Sequence, residues 1–332
     1  MKRAAVLPGD GVGPEVIAAA VAVIRSVTDK IEFITADIGY ACYKGTGEAL
    51  PRATMDALDG SDAVLMGTVA CKAEDKGYRS PVTAVNKRLS ISSRTKHFYR
   101  LSEGAGTGNI DCFLITEDTE VTGLNAETET LEGVTIGRRI EYGSCRRLCR
   151  TGRAVAEKNG IEGITLAHDG DDLPGTKAVL LKEFRDVMND SAVRTEEMSY
   201  IDVIRTIMSA PERIRLVIST GLRGDLLDSI MTTAAGRERT MPVAGIGEMG
   251  SVFGPDHGPM YELTGLNRVN PTAAILAGSE MLDHLGHTAE GARIRDAVKA
   301  AYAAGRRTPD EGGSTGTYEF ADVIISLCEN VL

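Results

Sequence analysis

Short apolar runs alternate along this chain with longer stretches in which apolar positions recur every three to four residues. The short runs are typical of buried β-strands and cover residues 4–7, 31–34, 62–67, 112–115, 163–167 and 216–219. The longer stretches predict amphipathic helices over residues 143–159, 177–188, 201–208 and 271–285. Residues 122–141 alternate Thr and Ile among Glu and Arg, which predicts a hairpin outside the main sheet. Strands and helices in this alternation indicate an α/β fold.

The first strand leads into a glycine-rich turn, and a helix with Pro14 near its start follows. The sequence Gly9-x-Gly11-x-Gly13 lacks the third glycine of the dinucleotide fingerprint G-x-G-x-x-G, so it does not indicate a Rossmann motif. Glycines allow another part of the backbone to approach closely. We therefore interpret the turn as a structural corner between strand and helix.

Composition and charge narrow the class of protein. A chain of 332 residues with 42% hydrophobic and 25% charged residues has the size and composition of about two globular domains. The net charge of −10, without a long basic run, argues against a nucleic-acid partner. No apolar run reaches the ~18 residues of a membrane span, and the first residues do not resemble a signal peptide. With no C-x-x-C pair among its six cysteines, the chain is expected to be cytoplasmic and reduced, without a membrane partner.

Several sequence motifs follow one another from residue 4 to about residue 326. They are residues 7–16 (LPGDGVGPEV), Leu50-Pro51, residues 63–69, Gly224-Asp225, His257-Gly258, Asn270-Pro271 and Arg307-Thr308-x-Asp310-x-Gly312-Gly313-x-x-Gly316-Thr317. In this order and spacing, the chain resembles the isopropylmalate/isocitrate dehydrogenase family, the metal-dependent β-decarboxylating dehydrogenases. The resemblance extends over nearly the whole chain.

The resemblance implies a two-domain α/β fold that is not a Rossmann fold. Residues 1–97 and 246–332 would form a large NAD-binding domain that holds both termini. Residues 98–245 would form an inserted domain with the dimer interface and, at the predicted hairpin, a β-arm. The family pattern further implies a homodimer whose two active sites are each shared between the subunits.

The family places NAD against a loop that this chain matches at His257 and Gly258, and against Asn270. Glu262 stands five positions after the histidine, where NAD-using members have the acidic residue that contacts the adenosine ribose. A carboxylate at this position accepts hydrogen bonds from ribose hydroxyls and repels a 2′-phosphate. The resemblance therefore favours NAD over NADP as the cofactor.

The family's metal site consists of aspartates, which supply the hard oxygen ligands that Mg²⁺ or Mn²⁺ prefers. Asp225 matches the family's Gly-Asp ligand, and Asp202 matches the ligand that the partner subunit contributes. The third family aspartate lies four residues after Asp225, where this chain has Ser229, with Asp228 beside it. Because Asp228 is displaced around the helix from that position, it would replace the missing ligand only in part.

The substrate side of the predicted site departs from the family pattern. Three family arginines clamp substrate carboxylates, because the guanidinium fork matches carboxylate geometry. Their positions are Asn86, Lys96 and Thr116, and Arg88, Arg94 and Arg100 lie nearby in the sequence. If the register shifts, one of these nearby arginines, Arg94 among them, would serve. With fewer arginines at these positions, the chain is predicted to bind a substrate with fewer or differently placed carboxylates.

The catalytic positions also differ from the family. The family's lysine falls at Asp169, its asparagine at Asp171 and its tyrosine at Gly123. Lys177 would take the lysine's role only if a gap is introduced. We therefore predict Asp169, or His168 at the end of the same strand, as the base that removes the hydroxyl proton. The additional carboxylate of Asp171 would suit an amino-bearing or less anionic substrate.

Together these residues predict an NAD- and divalent-metal-dependent dehydrogenase that oxidises a non-standard small 2-hydroxy acid in a specialised biosynthetic pathway. The loss of the family tyrosine leaves it open whether decarboxylation follows. Two alternatives also stay open. One is a non-catalytic regulatory or scaffold subunit of the same family, and the other is an ordinary 3-isopropylmalate-type dehydrogenase in which local shifts restore the missing groups.

Overall fold

The structure, a computed structural model, describes residues 1–71, 75, 77–102, 106–117, 125–170 and 172–329. Its twelve described strands form a ten-stranded mixed sheet and a separate two-stranded hairpin. The strands are β1 Lys2–Leu7, β2 Ile31–Thr35, β3 Ala63–Met66, β4 Ile91–Tyr99, β5 Asp111–Glu117, β6 Asn125–Thr130, β7 Gly133–Arg138, β8 Gly163–His168, β9 Arg194–Ser199, β10 Leu216–Ser219, β11 Pro242–Gly247 and β12 Ser251–Pro255.

Eleven α-helices accompany these strands in the described part of the chain. They are α1 Gly13–Val27, α2 Tyr40–Thr46, α3 Arg52–Asp59, α4 Val82–Arg88, α5 Tyr142–Lys158, α6 Pro174–Met188, α7 Tyr200–Ser209, α8 Gly221–Ala235, α9 Thr272–His284, α10 Thr288–Ala303 and α11 Thr317–Glu329. None of the helices in the described segments is both long enough and apolar enough to cross a membrane.

The strand order of the large sheet is β2-β1-β3-β12-β11-β4-β5-β10-β8-β9. The first four strands are parallel to one another, and so are the last four. Antiparallel pairing occurs where β11 meets β12 and β4, and where β4 meets β5. Strands β11 and β4 therefore join two parallel halves, and helices supply the long connections that parallel neighbours need.

The predicted α/β fold is confirmed, and the six apolar runs all form strands. The hairpin also lies outside the main sheet, where β6 and β7 pair from Asn125 opposite Arg138 to Thr130 opposite Gly133. Four strands of the main sheet were not predicted: β4, β9, β11 and β12. Strands β4 and β9 read ISSRTKHFY and RTEEMS, so neither contains the apolar run that indicates a buried strand.

Alternate residues of the inner strands face opposite sides of the sheet. In β1, Ala4 and Val6 pack in one hydrophobic cluster and Ala5 and Leu7 in another, as the period of two requires. Likewise, in β10 Val217 lies in a different cluster from its two apolar neighbours. Two clusters draw mainly on the terminal segments of the chain and two on its middle segment. The boundaries of the two domains stay a prediction.

The glycine-rich turn after β1 is wedged between two other loops. Gly9 has φ +78°, and a Cβ there would lie 2.1 Å from the Thr68 carbonyl oxygen. Gly11 has φ +58°, and a Cβ there would lie 1.9 Å from the Pro259 carbonyl oxygen. Both the left-handed backbone and the close approach require glycine. The turn is thus a structural corner that packs against the loop after β12.

Asp10, inside this turn, ties three segments together. Its carboxylate accepts hydrogen bonds from the backbone N–H groups of Tyr40 (2.9 Å), Ala41 (2.7 Å) and Ala70 (2.9 Å). Two of these donors belong to the first turn of α2, where backbone N–H groups lack partners within the helix. The side chain is 1% exposed. Asp10 therefore fixes α2 and the loop after β3 beside the carboxyl end of β1.

Replacing Asp10 with alanine is expected to lower the free energy of unfolding by about 3 kcal/mol, because buried backbone donors would lose their acceptor. Urea denaturation, followed by circular dichroism, measures the change. Asp29→Ala is the matched control, since Asp29 is exposed, and it should change stability by less than about 0.5 kcal/mol. Equal stability of the two variants would contradict the assigned role.

Candidate active site

Two cations on one face of β4 form the base of the candidate site. Arg94 and Lys96 are two residues apart, so their side chains point to the same side of the sheet. In the adjacent strand β5 they lie opposite Thr116 and Leu114. The predicted substrate residues Arg94, Lys96 and Thr116 are therefore neighbours in the sheet. Thr116 is buried. Asn86, another predicted substrate residue, is buried on α4.

Lys96 is 4% exposed, and its ammonium contacts two carboxylates. One belongs to Asp228 on α8, and the other belongs to Asp256, which directly follows β12. Burying an ammonium is costly unless it is paired and hydrogen-bonded, and two carboxylates meet that need. Lys96 therefore holds α8 and the end of β12 to the centre of the sheet.

Arg94 forms the second pair, in which Nη2 donates to Asp225 Oδ1 at 3.1 Å. Asp225 and Asp228 are three residues apart on α8, which puts both on one side of the helix, separated by a rise of about 4.5 Å. Their partners on β4 are about 6.8 Å apart along the strand. The long side chains of Arg94 and Lys96 span the difference between these two spacings. Strand β4 and helix α8 are therefore joined by two parallel ion pairs.

A glycine allows α8 to approach the sheet this closely. A Cβ on Gly224 would lie 2.9 Å from Thr116 Cγ2 and 3.2 Å from Ser219 Oγ. The first turn of α8 therefore packs directly on β5 and β10, and it brings Asp225 over Arg94. This contact gives a physical reason for the Gly-Asp pair that the sequence contains at residues 224–225.

The predicted base residues lie at the carboxyl end of β8. The Asp169 side chain is 11% exposed, and its carboxylate contacts Arg223 of α8. His168 is buried, and its Nδ1 accepts a hydrogen bond from the Gly170 backbone N–H at 3.0 Å. Because this bond occupies the Nδ1 lone pair, Asp169 is the better placed of the two to accept a proton. Asp171 lies outside the described residues.

Asp202 lies in the first turn of α7 and is held by its own helix terminus. Its carboxylate accepts hydrogen bonds from Ser199 Oγ at 2.6 Å and from Arg205 Nη1 at 3.3 Å. Ser199 in turn accepts from the Asp202 backbone N–H, so it is the N-cap of α7. The Asp202 side chain is 53% exposed and pairs with Arg205 of its own helix. Its contribution to a site across a dimer stays a prediction.

The carboxylates fit a divalent cation unequally. No group of three His, Cys, Asp or Glu side chains arranged to hold a metal occurs in the described part of this chain. Asp225 and Asp202 are about half exposed and offer the hard oxygens that Mg²⁺ or Mn²⁺ prefers. Asp228 is mostly buried against Lys96. Within this chain Asp225 is the carboxylate that fits a metal best, and the roles of Asp202 from a second subunit and of Asp228 stay predictions.

The loop after β12 carries the residues predicted to bind NAD. His257 Nδ1 donates to the Gly258 carbonyl oxygen at 3.0 Å, which leaves Nε2 as a buried acceptor with no partner among the described residues. Burial lowers the pKa of His257, so the ring is neutral at pH 7. Gly258 has open space around it, and Glu262 is exposed on a short 3₁₀ helix. A buried acceptor without a partner among the described residues is suited to a hydroxyl donor, such as one of a ribose, and the exposed carboxylate of Glu262 follows five residues later.

Asn270 differs from the other predicted NAD residues because its side chain is already satisfied. Its amide nitrogen donates to Tyr302 Oη at 2.8 Å and to Glu311 Oε2 at 2.6 Å. Its amide oxygen accepts from the Thr272 backbone N–H at 2.9 Å, at the start of α9. Asn270 thus holds the loop against the segment after α10, and direct contact of its side chain with NAD stays a prediction.

With this geometry in view, comparisons with known proteins establish the family. The model of the isocitrate/isopropylmalate dehydrogenase family matches residues 3–324 of the chain. The chain belongs to this family. This family member is 31% identical to the 3-isopropylmalate dehydrogenase of Methanothermobacter thermautotrophicus over 330 residues, which cover 99% of each chain. It is 26% identical to the isocitrate/homoisocitrate dehydrogenase of Thermus thermophilus over 331 residues, again 99% of each.

Comparison with solved structures supports the same family assignment. The chain superimposes on a β-decarboxylating dehydrogenase from Thermococcus kodakarensis with a TM-score of 0.90 and 28% identity, over 100% of this chain and 97% of that one. The expectations of the fold, of the family and of a dehydrogenase that acts on a CH–OH group are therefore confirmed. Members of the family use NAD(P) and a divalent metal.

The structure adds three side chains that the sequence did not single out. Asp256 contacts Lys96, and Arg223 contacts Asp169. Tyr200, at the start of α7, is buried; its hydroxyl donates to the Thr220 carbonyl oxygen at 3.3 Å and accepts from Ser219 Oγ at 3.1 Å. Nothing in the sequence around Asp256 or Arg223 indicates these contacts. Each contact joins segments that are distant along the chain.

Replacing Lys96 with methionine is expected to lower the free energy of unfolding by about 3–5 kcal/mol, because it leaves two carboxylates without their cation. Urea denaturation measures the loss, and Lys30→Met, at an exposed lysine, is the control. Adding Asp228→Asn and Asp256→Asn to Lys96→Met should recover much of the stability, since no uncompensated charge then remains. A Lys96→Met chain as stable as the control would refute the pairing.

Proposed function

We propose that this family member oxidises the secondary alcohol of a small 2-hydroxy acid that carries fewer or differently placed carboxylates than isopropylmalate or isocitrate. One observation carries the proposal: Lys96, the buried cation on the site face of β4, is committed to two carboxylates of the protein itself, which leaves Arg94 as the cation of this face that could meet a substrate carboxylate after leaving Asp225. A cation that already neutralises a protein carboxylate is a poor clamp for a substrate carboxylate. The site therefore favours a less anionic substrate, in keeping with a specialised pathway.

The reaction removes a proton from the substrate hydroxyl and a hydride from the carbon that bears it. Asp169 accepts the proton on its carboxylate, which Arg223 contacts. Arg223 holds this carboxylate in place and compensates its charge. The products are a ketone, the reduced cofactor and a proton. Measuring CO₂ together with the reduced cofactor tells whether loss of a carboxylate follows oxidation.

Bound NAD would supply the hydride acceptor. His257 and Glu262 would accept hydrogen bonds from its hydroxyl groups, and Gly258 would let its backbone come close. The exposed carboxylate of Glu262 would repel a 2′-phosphate, which favours NAD over NADP. Asn270 would act by fixing the loop rather than through its occupied amide.

A divalent cation, Mg²⁺ or Mn²⁺, would supply a Lewis acid for the substrate hydroxyl. Asp225 and the Asp202 of a second subunit would hold it, while Asp228 stays with Lys96. Arg94 would exchange Asp225 for the substrate as the metal binds. The protein would then release one of its two strand–helix ion pairs and keep the buried one.

The distribution of exposed apolar side chains supports a homodimer with shared sites. Ile201 and Met208 on α7 are 59% and 58% exposed, and Leu226 on α8 is 56% exposed. Ile201 precedes Asp202 and Leu226 follows Asp225, so the apolar surface adjoins both proposed metal ligands. Apolar surface next to incomplete polar sites is typical of an interface that a second copy covers. The exposed hairpin β6–β7 would serve as the β-arm.

The same ion pairs favour a second candidate function, that of a non-catalytic regulatory subunit. If Arg94 never releases Asp225, the chain would bind NAD without turning over any hydroxy acid. An ordinary 3-isopropylmalate dehydrogenase is the third candidate, and the paired state of Arg94 and Lys96 disfavours it.

Absorbance at 340 nm over a panel of 2-hydroxy acids, with NAD and Mn²⁺, tests the function. We expect a hydroxy monoacid or an amino-bearing hydroxy acid to be turned over with a kcat/KM at least about tenfold above that of 3-isopropylmalate, since each poorly bound carboxylate costs about 1.4 kcal/mol or more. NAD binding without turnover of any compound would support the regulatory subunit. Preferred turnover of 3-isopropylmalate would refute the substrate proposal.

Mixing two inactive variants tests the metal ligands and the dimer together. Asp202→Asn and Asp225→Asn should each lose Mn²⁺-stimulated turnover, because each removes one ligand from every site. After subunit exchange at equal amounts, half of the dimers are mixed, and each mixed dimer has one intact site. Activity should therefore recover to about a quarter of that of the unmodified protein.

Asp228→Asn is the matched control on the same helix. It should leave the Mn²⁺ concentration for half-maximal activity within about threefold of the original, since Asp228 is committed to Lys96. No recovery in the mixture would argue that Asp202 and Asp225 do not share a site across subunits. Loss of the Mn²⁺ response in Asp228→Asn would show that Asp228 is a ligand after all.

A further inference from the structure

The face of β4 opposite to the candidate active site lines a cavity of about 470 Å³. Thr95, His97 and Tyr99 alternate with the site residues along the strand and line this cavity, which we call the rear cavity. Its other walls come from the end of α5 and from α9 and α10. The volume lies in the range of small-molecule sites, and the sheet separates the rear cavity from Arg94 and Lys96.

Much of the wall of the rear cavity is apolar. Its apolar lining comes from three strands and one helix: Phe113 of β5, Ile246 of β11, Phe253 of β12 and Leu276 of α9. This surface is suited to a flat or compact apolar body, because burying it removes apolar area from water. The apolar wall alone does not select a ligand, so the charged groups of the cavity decide which chemical class of ligand fits.

The acidic groups of the rear cavity are mostly neutralised within the protein. Asp111 pairs with Arg215 at 3.0 Å and accepts a hydrogen bond at 2.7 Å from His97, whose pKa is lowered by burial, so that its ring is neutral at pH 7. Asp283 pairs with Arg295 at 2.8 Å. Glu280 has no ion-pair partner among the described residues, and burial raises its pKa to about 7, so it carries only part of a negative charge at neutral pH.

Three cations of the rear cavity lack a carboxylate partner among the described residues: Arg100, Lys158 and Lys299. Lys158 donates instead to the Asp283 carbonyl oxygen at 3.3 Å, and Lys299 lies 5.3 Å from the centre of the Tyr99 ring. The Nε of Arg100 is buried and has no acceptor in the described part of the chain. Arg100 is half-buried, whereas Lys158 and Lys299 are exposed, so water screens the two ammonium groups and the guanidinium of Arg100 attracts an anion most strongly.

We propose that the rear cavity binds a small organic anion, with its apolar body against the apolar wall of the cavity and its carboxylate or phosphate between Arg100 and Lys299. The adjoining cavity shares Arg100 and Lys299 and adds Arg307, so the anionic group meets cations on both sides of this rim. An anion would give Arg100 Nε its missing acceptor. The proposal concerns binding alone, and it stands whether or not the chain oxidises a hydroxy acid.

The absence of tryptophan from the sequence makes a direct test possible. Phe113→Trp places a single indole in the rear cavity, where a bound probe changes its fluorescence. We expect saturable changes with phenyl phosphate and with benzoate, and at least about tenfold weaker binding of the uncharged benzyl alcohol. Comparing phenyl phosphate with benzoate distinguishes a phosphate from a carboxylate ligand. Calorimetry with the unmodified chain repeats the measurement should Phe113→Trp fail to fold.

Charge removal supplies the specificity control. Arg100→Gln combined with Lys299→Gln should weaken the binding of both probes at least about tenfold, since charge-assisted contacts are lost. Arg306→Gln, an exposed arginine just beyond α10, should leave binding within about twofold. Three results would overturn the proposal: no saturable binding by calorimetry, equal binding by the Arg100→Gln/Lys299→Gln chain, or displacement of the probes by NAD.

Discussion

Burying the ammonium of Lys96 in the middle of a ten-stranded sheet is the constraint on which the rest of this site depends. The charge is tolerable there because Asp228 and Asp256 both reach it, one from α8 and one from the end of β12. These two carboxylates belong to opposite halves of the sheet. A single side chain of the central strand β4 therefore fixes the helix that carries Asp225 and the loop that carries His257.

As a consequence, the cations of the site pair with carboxylates of the protein itself. Arg94 and Lys96 neutralise carboxylates of α8, and Arg223 neutralises Asp169. In a family whose members act on hydroxy acids, such pairing shifts recognition away from carboxylate-rich substrates. Arg94 and Asp225 are the more exposed pair, so this contact opens at lower cost than the one at Lys96.

Much of the fold is predictable from local pattern. The six apolar strands and the four strongly periodic helices appear within a few residues of their predicted bounds, because a buried strand or helix must carry its hydrophobic side in sequence. Strand β4 was not predicted, since its Arg94, Lys96 and His97 interrupt the apolar pattern. Two of these polar residues are satisfied by partners elsewhere, Lys96 by two carboxylates and His97 by Asp111. Helix α8 escaped prediction for a related reason, because its apolar residues do not form a single stripe.

The sequence by itself determined the α/β class and the family, since these follow from periodicity and from motifs of fixed spacing. Only the tertiary structure decided which charges meet. Lys96 is 132 residues from Asp228 and 160 from Asp256, and these contacts exist because the strand order brings β4, α8 and the end of β12 together. The family pattern made Asp228 a candidate metal ligand, and the tertiary structure shows that its carboxylate contacts an ammonium. A buried cation takes the nearest carboxylates in space, and nearness in space is set by how the strands are ordered and not by distance along the chain.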